Sequence, residues 1–492
     1  MAVSDDHNER EAPFIDHSRS PTALTSRARD ARMPSSAVRD DEALASRTPP
    51  HVSRVTETRW FVPAVLAAPY LLTVAALRGL TVTLPIFHGS DERTYHLVTI
   101  HQFASQLPFP DLVHYSAAQT PLYHLLMAYV GDIIGYQVWR LRLVEVLISY
   151  GLAWTVFVLL HRRLAISRLP ALTLTLLFAL SPYVFGASFR VVTDNLALLF
   201  VVVALERLER FRRTQSLGPY LGACTSIGLG ILTRQSSAFM LPVAAAYALL
   251  GSIGVRRLII AGIALATAAL PSGVLFLLWH GLVPQGGHGD SCGLCSTGSG
   301  AGAAKGTLSV QSVELTLAAL GVYSLMFVPQ AAAALRSRHS GLIRWARSSR
   351  AAQPGMAAIA VGLILLLAWP ARPGSDTHTA GWIWNVARNL PAIDSSSLVF
   401  WILVPVGGLV LATRLELTPR RWLVGSFCGF FLLEALVTRL PWQKYVDPFV
   451  LLALLLTVQR QEFSRRWQLL GAGLLIVGSA AYTTALAVTG GT

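Results

Sequence analysis

Charged residues are scarce in this chain. Asp, Glu, Lys and Arg supply 13% of its 492 residues, against roughly 25% in soluble domains, which excludes an ordinary water-soluble globule for most of its length. No apolar segment of signal-peptide type occurs before Phe61. Glycine-rich phosphate loops of the nucleotide or dinucleotide kind are missing, and so are a GxSxG nucleophile turn and an HExxH metal helix. Cysteine is rare, at 4 residues. Cys292 and Cys295 form a lone C-x-x-C beside His288 and Asp290, whereas Cys224 and Cys428 fall inside apolar runs. Zinc on two thiols and a histidine would lack a second cysteine pair, so a disulfide or free thiols fits better than a metal. The formal net charge is +14, yet no basic stripe interleaved with aromatics is found, and nucleic acid is set aside as a partner.

What is present is apolar. Hydrophobic residues make up 53% of the chain and the mean hydropathy is +0.52, in runs near the roughly 20 residues that cross a hydrocarbon core of about 30 Å. The expected fold is an all-α polytopic membrane protein, with about 13 transmembrane helices read from apolar periodicity. The runs are 61–87, 141–160, 169–187, 191–208, 218–233, 236–252, 257–280, 311–333, 354–371, 397–414, 421–438, 445–459 and 467–489. Residues 1–59 are a different material. They mix Asp, Glu, Arg, Ser and Pro without apolar periodicity, as a disordered cytoplasmic tail does, and leave 60–492 as the membrane domain.

With that tail in the cytoplasm, alternate connections should be basic. The expected inner connections carry Arg162, Arg163 and Arg168, then Arg207, Arg210, Arg212 and Arg213, then Arg256 and Arg257. Later ones carry Arg336 to Arg350, Arg414 to Arg421, and Arg460 to Arg466. The C-terminus then falls on the extracytoplasmic side of a cell membrane. The apolar stretch 121–135 would reverse every later loop if it crossed, so it reads as a helix against the outer interface.

Polar side chains gather on the outer side. The first outer loop, 88–140, is too long for a simple link and opens on adjacent acids, Asp91 and Glu92. His96, His101, Asp111, His114, Gln119, Tyr123 and His124 follow. A carboxylate just outside the membrane can take the proton of an attacking hydroxyl; the competing reading makes Ser90 or Asp91 a helix N-cap. Arg190, Arg234, Arg439 and Lys444 stand at outer ends of different spans, where the topology rule does not favour cations. Arginine offers paired donors to phosphate oxygens, so these four, with Gln235, are candidate phosphate ligands; snorkelling to headgroups is the alternative for each. Asp194 and Asp447 could pair with them.

Two further outer loops cover 281–310, glycine-rich and readable as a lid, and 371–397, with Asp376, His378, Trp382 and Trp384. Trp384 could stack on a sugar or serve as an interfacial anchor. Within the runs, Arg78, Glu145 and Glu434 lie near span ends and read as snorkelling groups. No metal ligands are assigned, and a divalent cation stays open as a cofactor.

An N-in first span, a long outer loop opening on an acid, a Pro-Leu-Tyr run and about a dozen further spans resemble the GT-C integral membrane glycosyltransferases. The segments that carry the likeness are SDERTYHLVTIHQFA (90–104), TPLYHLL (120–126), LTRQSSAF (232–239) and LPWQKYVDPFVLLALLL (440–456). The family named first on them is the endoplasmic-reticulum glucosyltransferase that adds the last glucose to the lipid-linked oligosaccharide. The polyprenyl-linked aminoarabinose and protein mannosyltransferase families share the long loop and the Pro-Leu-Tyr run. The resemblance implies a polyprenyl- or dolichyl-phosphate sugar donor among the spans, its sugar at the outer face, and a lipid, glycan or protein acceptor.

The family's catalytic acid maps onto Asp91, with Glu92 beside it, and its Arg-Gln onto Arg234 and Gln235. Ser236 and Ser237 replace the polar pair expected next, and the C-terminal segment shows no Arg-Tyr pair. Substrate contacts are expected at His96, Gln119, Tyr123, His378 and Trp384. The function expected is sugar transfer from a polyprenyl-phosphate donor to a hydroxyl at the extracytoplasmic face, with inversion. The alternative is a polytopic transporter or lipid flippase, a class that tends to internal repeats and mid-membrane ionisable groups.

Overall fold

The computed structural model describes residues 59–81, 91–250, 254–285, 309–337, 352–371, 381–437, 442–463 and 465–489. The expected tail, apart from Arg59, lies outside the described residues, as do His288, Asp290, Cys292, Cys295, Asp376, His378 and Arg439.

The described chain is helical. After α1 (Phe61–Ala76), a widened turn (Glu92–His96) leads into α2 (Leu97–Ala104), α3 (Leu122–Ile134), α4 (Val138–Val158), α5 (Arg168–Ala179) and the short α6 (Pro182–Ala187). There follow α7 (Asp194–Thr214), α8 (Leu217–Thr233), α9 (Met240–Leu250), α10 (Val255–Trp279), α11 (Val310–Tyr323), α12 (Val328–Ser337) and α13 (Ala352–Ala368). Then come α14 (Trp382–Arg388), a two-strand ribbon of β1 (Ala392–Ile393) and β2 (Ser396–Ser397), α15 (Leu398–Leu417), α16 (Arg421–Val437), α17 (Gln443–Thr457) and α18 (Leu470–Thr489).

Among the described residues five stretches are long and apolar enough to cross a membrane: Val138–Arg163, Val255–Trp279, Val310–Ala332, Leu398–Leu417 and Arg466–Ala485. Shorter apolar helices, among them α1, α5 and α8, stand beside them. Backbone polar groups inside hydrocarbon must be satisfied within the segment, which only helices do for single spans. A multi-pass membrane protein follows.

Where described, the apolar runs fall on helices, and 311–333 passes through a tighter turn at Ser324–Phe327 between α11 and α12. The run 61–87 stops as helix at Ala76, because Arg78, Gly79 and Leu80 take left-handed backbone angles (φ 49°, 69° and 68°). The run 169–187 is broken after Ala179, where Pro182 opens α6; proline is tolerated in the first helical turn but not in mid-helix.

Two packing features position the site. Helices α7 and α8 form an antiparallel hairpin, with Gly222 against Arg207 and Gly230 against Phe200. The open end of that hairpin brings Asp194 beside Arg234. The first-loop helices carry a core of their own, in which Ile100, Phe103, Tyr123 and Met127 bury against Leu141, Leu196 and Trp279. Trp279 Nε1 donates to the Leu112 carbonyl at 2.7 Å, and Gln285 N to Val113 at 3.0 Å. The long loop is thereby folded onto α4, α7 and α10.

Candidate active site

Residues far apart in sequence meet at one end of the helices. Lys444 Nζ lies 3.0 Å from Asp91 Oδ2, although 353 positions separate them. Arg234 Nη1 donates to Asp194 Oδ1 at 2.5 Å. The two ion pairs share an aromatic wall: Arg234 lies 4.6 Å from the Tyr445 ring centre, and Lys444 lies 4.6 Å from Trp442 and 5.1 Å from Tyr445. Cations over aromatic faces are held by the ring quadrupole without losing their charge.

Local structure explains the aim of each group. Helix α8 ends at Thr233, and Arg234 is extended (φ −156°, ψ 120°), which turns its side chain out of the helix. Asp194 opens α7, where the helix dipole favours an acid, and Arg234 follows the C-terminus of α8, where it favours a cation. Lys444 is the second residue of α17.

Glu92 and Asp91 are adjacent but differ in access. The Asp91 side chain is 29% exposed and that of Asp194 30%, whereas that of Glu92 is 1% exposed. Arg142 Nε and Nη2 grip the Glu92 carboxylate at 2.9 and 2.7 Å, and Val191 N donates to the same carboxylate at 2.9 Å. Arg142 also donates to the Leu80 carbonyl at 3.0 Å. Bidentate pairs of this type are strong and geometrically specific. Glu92 is thus a clamp between the first loop, α4 and the start of α7. Arg190 is buried and lies in the field of Glu92, Arg142 and Asp91.

Behind the ion pairs is a buried aromatic and imidazole layer. His96 Nδ1 stands 3.0 Å from His124 Nε2 with the rings stacked, and Tyr123 packs edge-on against both. Burial pushes the His96 pKa down to about 4, against the opposing pull of Asp194 and Asp91, so the ring is neutral near pH 7. Tyr123 OH donates to Glu145 Oε1 at 2.5 Å. The snorkelling reading of Glu145 is corrected here: it is fully buried, and its second oxygen has no hydrogen-bond partner among the described residues.

The other expected contacts have partners of their own within the protein. Gln235 Nε2 donates to the carbonyls of Ala118 (2.8 Å) and Leu282 (3.2 Å), and so ties two loops together. Gln119 places its carbonyl against Tyr115 OH at 2.7 Å. Trp384 is fully buried with its ring 4.6 Å from that of Phe400, away from any surface on which a sugar could stack. Asp447 is also buried, accepting from Tyr323 OH at 2.6 Å and Gln443 Nε2 at 3.0 Å. Sequence reasoning passed over Arg142, whose only signal is a cation at the start of an apolar run. Among the described residues no group of three His, Cys, Asp or Glu side chains is placed to hold a metal ion.

The opposite ends of the helices carry a second set of charges. Arg163 and Arg207 pair with Glu206, Arg212 and Arg420 with Glu209, and Arg414 with Glu462. Tyr247 OH donates to Glu209 at 2.8 Å. A groove of about 740 Å³ between α15 and α16, lined by Trp422, Phe430 and Leu433, has the Arg421–Glu416 pair at this arginine-rich end.

Fold and site together define a multi-pass helical membrane protein with a mixed cluster of carboxylates and cations at one rim. Residues 118–279, a third of the chain, match the family model described as dolichyl-phosphate-mannose-protein mannosyltransferase. The match is consistent with the GT-C superfamily and with a membrane glycosyltransferase that uses a polyprenyl-phosphate sugar donor. It takes in Tyr123, Glu145, Arg190, Asp194 and Arg234, and leaves Asp91 and Lys444 outside. No curated protein and no solved structure matches the chain.

Proposed function

We propose that the protein transfers a hexose, with inversion, from a polyprenyl-phosphate donor to an acceptor hydroxyl at the extracytoplasmic face. The observation that carries this reading is the meeting of Asp91 with Lys444, and of Asp194 with Arg234, at one rim. Asp91 is the base: its carboxylate takes the hydroxyl proton as the acceptor oxygen bonds to the anomeric carbon. The bond from that carbon to the phosphate oxygen breaks on the opposite side, and its electron pair leaves with the polyprenyl phosphate. The departing dianion is met by Lys444 and Arg234, with Arg190 and Arg439 as further candidate ligands.

Asp91 and Lys444 neutralise each other as an ion pair. A donor phosphate drawing on Lys444 releases Asp91 toward the acceptor. Most of the rate then comes from placement and from fixed charges that need no reorganisation. Glu92 holds the loop that bears Asp91 and does not touch substrate. His96 and Tyr123 form the neutral floor behind the ion pairs.

A transporter or flippase remains the second reading, favoured by the buried carboxylates of Glu145 and Glu314, the latter without hydrogen-bond partners on either oxygen among the described residues. The two readings separate in proteoliposomes that hold a labelled polyprenyl-phosphate hexose and a mixed pool of acceptors. Product with the anomer opposite to the donor supports transfer. Movement of intact donor between leaflets, with no glycosidic product, refutes it.

A further inference from the structure

At the arginine-rich end, remote from Asp91 and Lys444, a separate cavity of about 220 Å³ opens between the N-terminus of α1, the end of α4 and the start of α5. At about 30 Å³ per water, it has room for about seven, the scale of a small headgroup rather than a whole lipid. Its wall is divided. Val62, Pro63, Trp154 and Phe157 supply apolar surface, and Arg59, His161, Arg162 and Arg168 supply basic groups, with no carboxylate among the described residues of the lining.

The charges of this cavity differ from those around it. At the same end Arg163, Arg207, Arg212, Arg414, Arg420 and Arg421 each pair with a glutamate. Arg59 and Arg162 form no ion pair with any described carboxylate, and Arg59 lies over the Trp60 ring, at 4.9 Å. The His161 ring is fixed by Nδ1–H donating to the Ile166 carbonyl at 2.9 Å and by stacking on Phe157. Trp154 is partly exposed beside them, as aromatics at a membrane interface are.

We infer that this cavity binds the anionic headgroup of a membrane phospholipid from the leaflet at the arginine-rich end. The phosphate sits between Arg59 and Arg162, and the first methylenes of the acyl chains run along Val62, Pro63 and Phe157. Arg59 and Arg162, without an ion pair among the described residues, stand above an apolar floor and suit a molecule that is anionic at one end and apolar at the other. Basic pockets between transmembrane helices take acidic lipids on this principle. A free phosphate would leave the apolar half of the wall wet, and a zwitterionic lipid would bring its own cation to Arg59 and Arg162.

The test uses the full-length protein in a neutral detergent, with thermal unfolding followed on addition of phosphatidylglycerol, phosphatidylcholine or inorganic phosphate. Phosphatidylglycerol is expected to raise Tm while the other two leave it unchanged. The shift should fall by at least half in the Arg59→Gln/Arg162→Gln protein and persist in Arg210→Gln, an exposed arginine of α7 at the same end. An equal rise with phosphatidylcholine, an equal rise with phosphate alone, or an undiminished shift in the double variant overturns the inference. Native mass spectrometry of the single Arg162→Gln protein gives an independent reading. Fewer retained phosphatidylglycerol molecules than in the parent protein support the site, and an equal number rejects it.

Discussion

At the scale of single residues, neighbouring acids have been given different work by burial. Asp91 stays open to the rim beside Lys444, whereas Glu92 is sealed against Arg142. Removing one partner of a buried ion pair typically costs about 3–5 kcal/mol, because the other charge is stranded. Glu92→Gln should therefore lower the unfolding free energy by an amount of that order, while Asp91→Asn should change it by less than about 1 kcal/mol, as for a part-exposed pair. Denaturant or thermal melts of the two purified variants compare them directly; equal losses would contradict the division of roles.

His96 gives a pH signature. Its folded pKa, about 4, lies below its value of 6.5 in an unfolded chain. The unfolded state consequently binds more protons between pH 6.5 and 4, and stability falls as pH drops through that window. His96→Asn should flatten this part of the stability–pH curve. A curve of unchanged slope would show that the ring titrates freely in the folded protein.

At the scale of elements, the apolar periodicity in the sequence located the helices because hydrocarbon length and internal hydrogen bonding leave few choices. What it could not carry was where helices break inside an apolar run. The left-handed turn at Arg78 to Leu80 and the interruption before Pro182 depend on backbone angles that composition does not report. The site was legible in part for a similar reason. Asp91, Arg234 and Lys444 stood out as charges out of place, and Asp194 as a partner for the cations. Arg142 and Glu145 lay inside an apolar run, and their roles depend on which helix face the first loop covers. Trp384, in a stretch read as a loop, is buried in the core.

Helix packing offers its own test. Gly321 of α11 and Gly407 of α15 let the two backbones meet, the close approach that small residues permit between membrane helices. Gly407→Val should cost about 1–3 kcal/mol, the usual range for overpacking. Gly425→Val, where an added side chain meets open space, is the control and should be close to neutral in the same melt.

At the scale of the whole molecule, charges segregate to the two ends of the helices. One end carries carboxylate-paired arginines: Arg163, after α4, and Arg420, after α15, meet Glu206 and Glu209 of α7, and Arg414 of α15 meets Glu462, after α17. The other carries Asp91, Asp194, Arg234 and Lys444. On the topology rule the arginine-rich end is expected in the cytoplasm. In intact cells an impermeant thiol reagent should modify an Asp111→Cys protein and spare Arg210→Cys, in a background free of other reactive thiols. The opposite pattern would put the acid–base rim on the cytoplasmic side.

The account as a whole depends on Asp91 acting on an acceptor hydroxyl at a site whose cations hold the donor phosphate. General base catalysis contributes roughly 10²- to 10⁴-fold to a rate. The most direct measurement is the single-turnover transfer rate of folded Asp91→Asn protein with a polyprenyl-phosphate hexose, alongside donor binding by the same protein. The account predicts a fall of about 100-fold or more with donor binding retained. Transfer at the parent rate would contradict it.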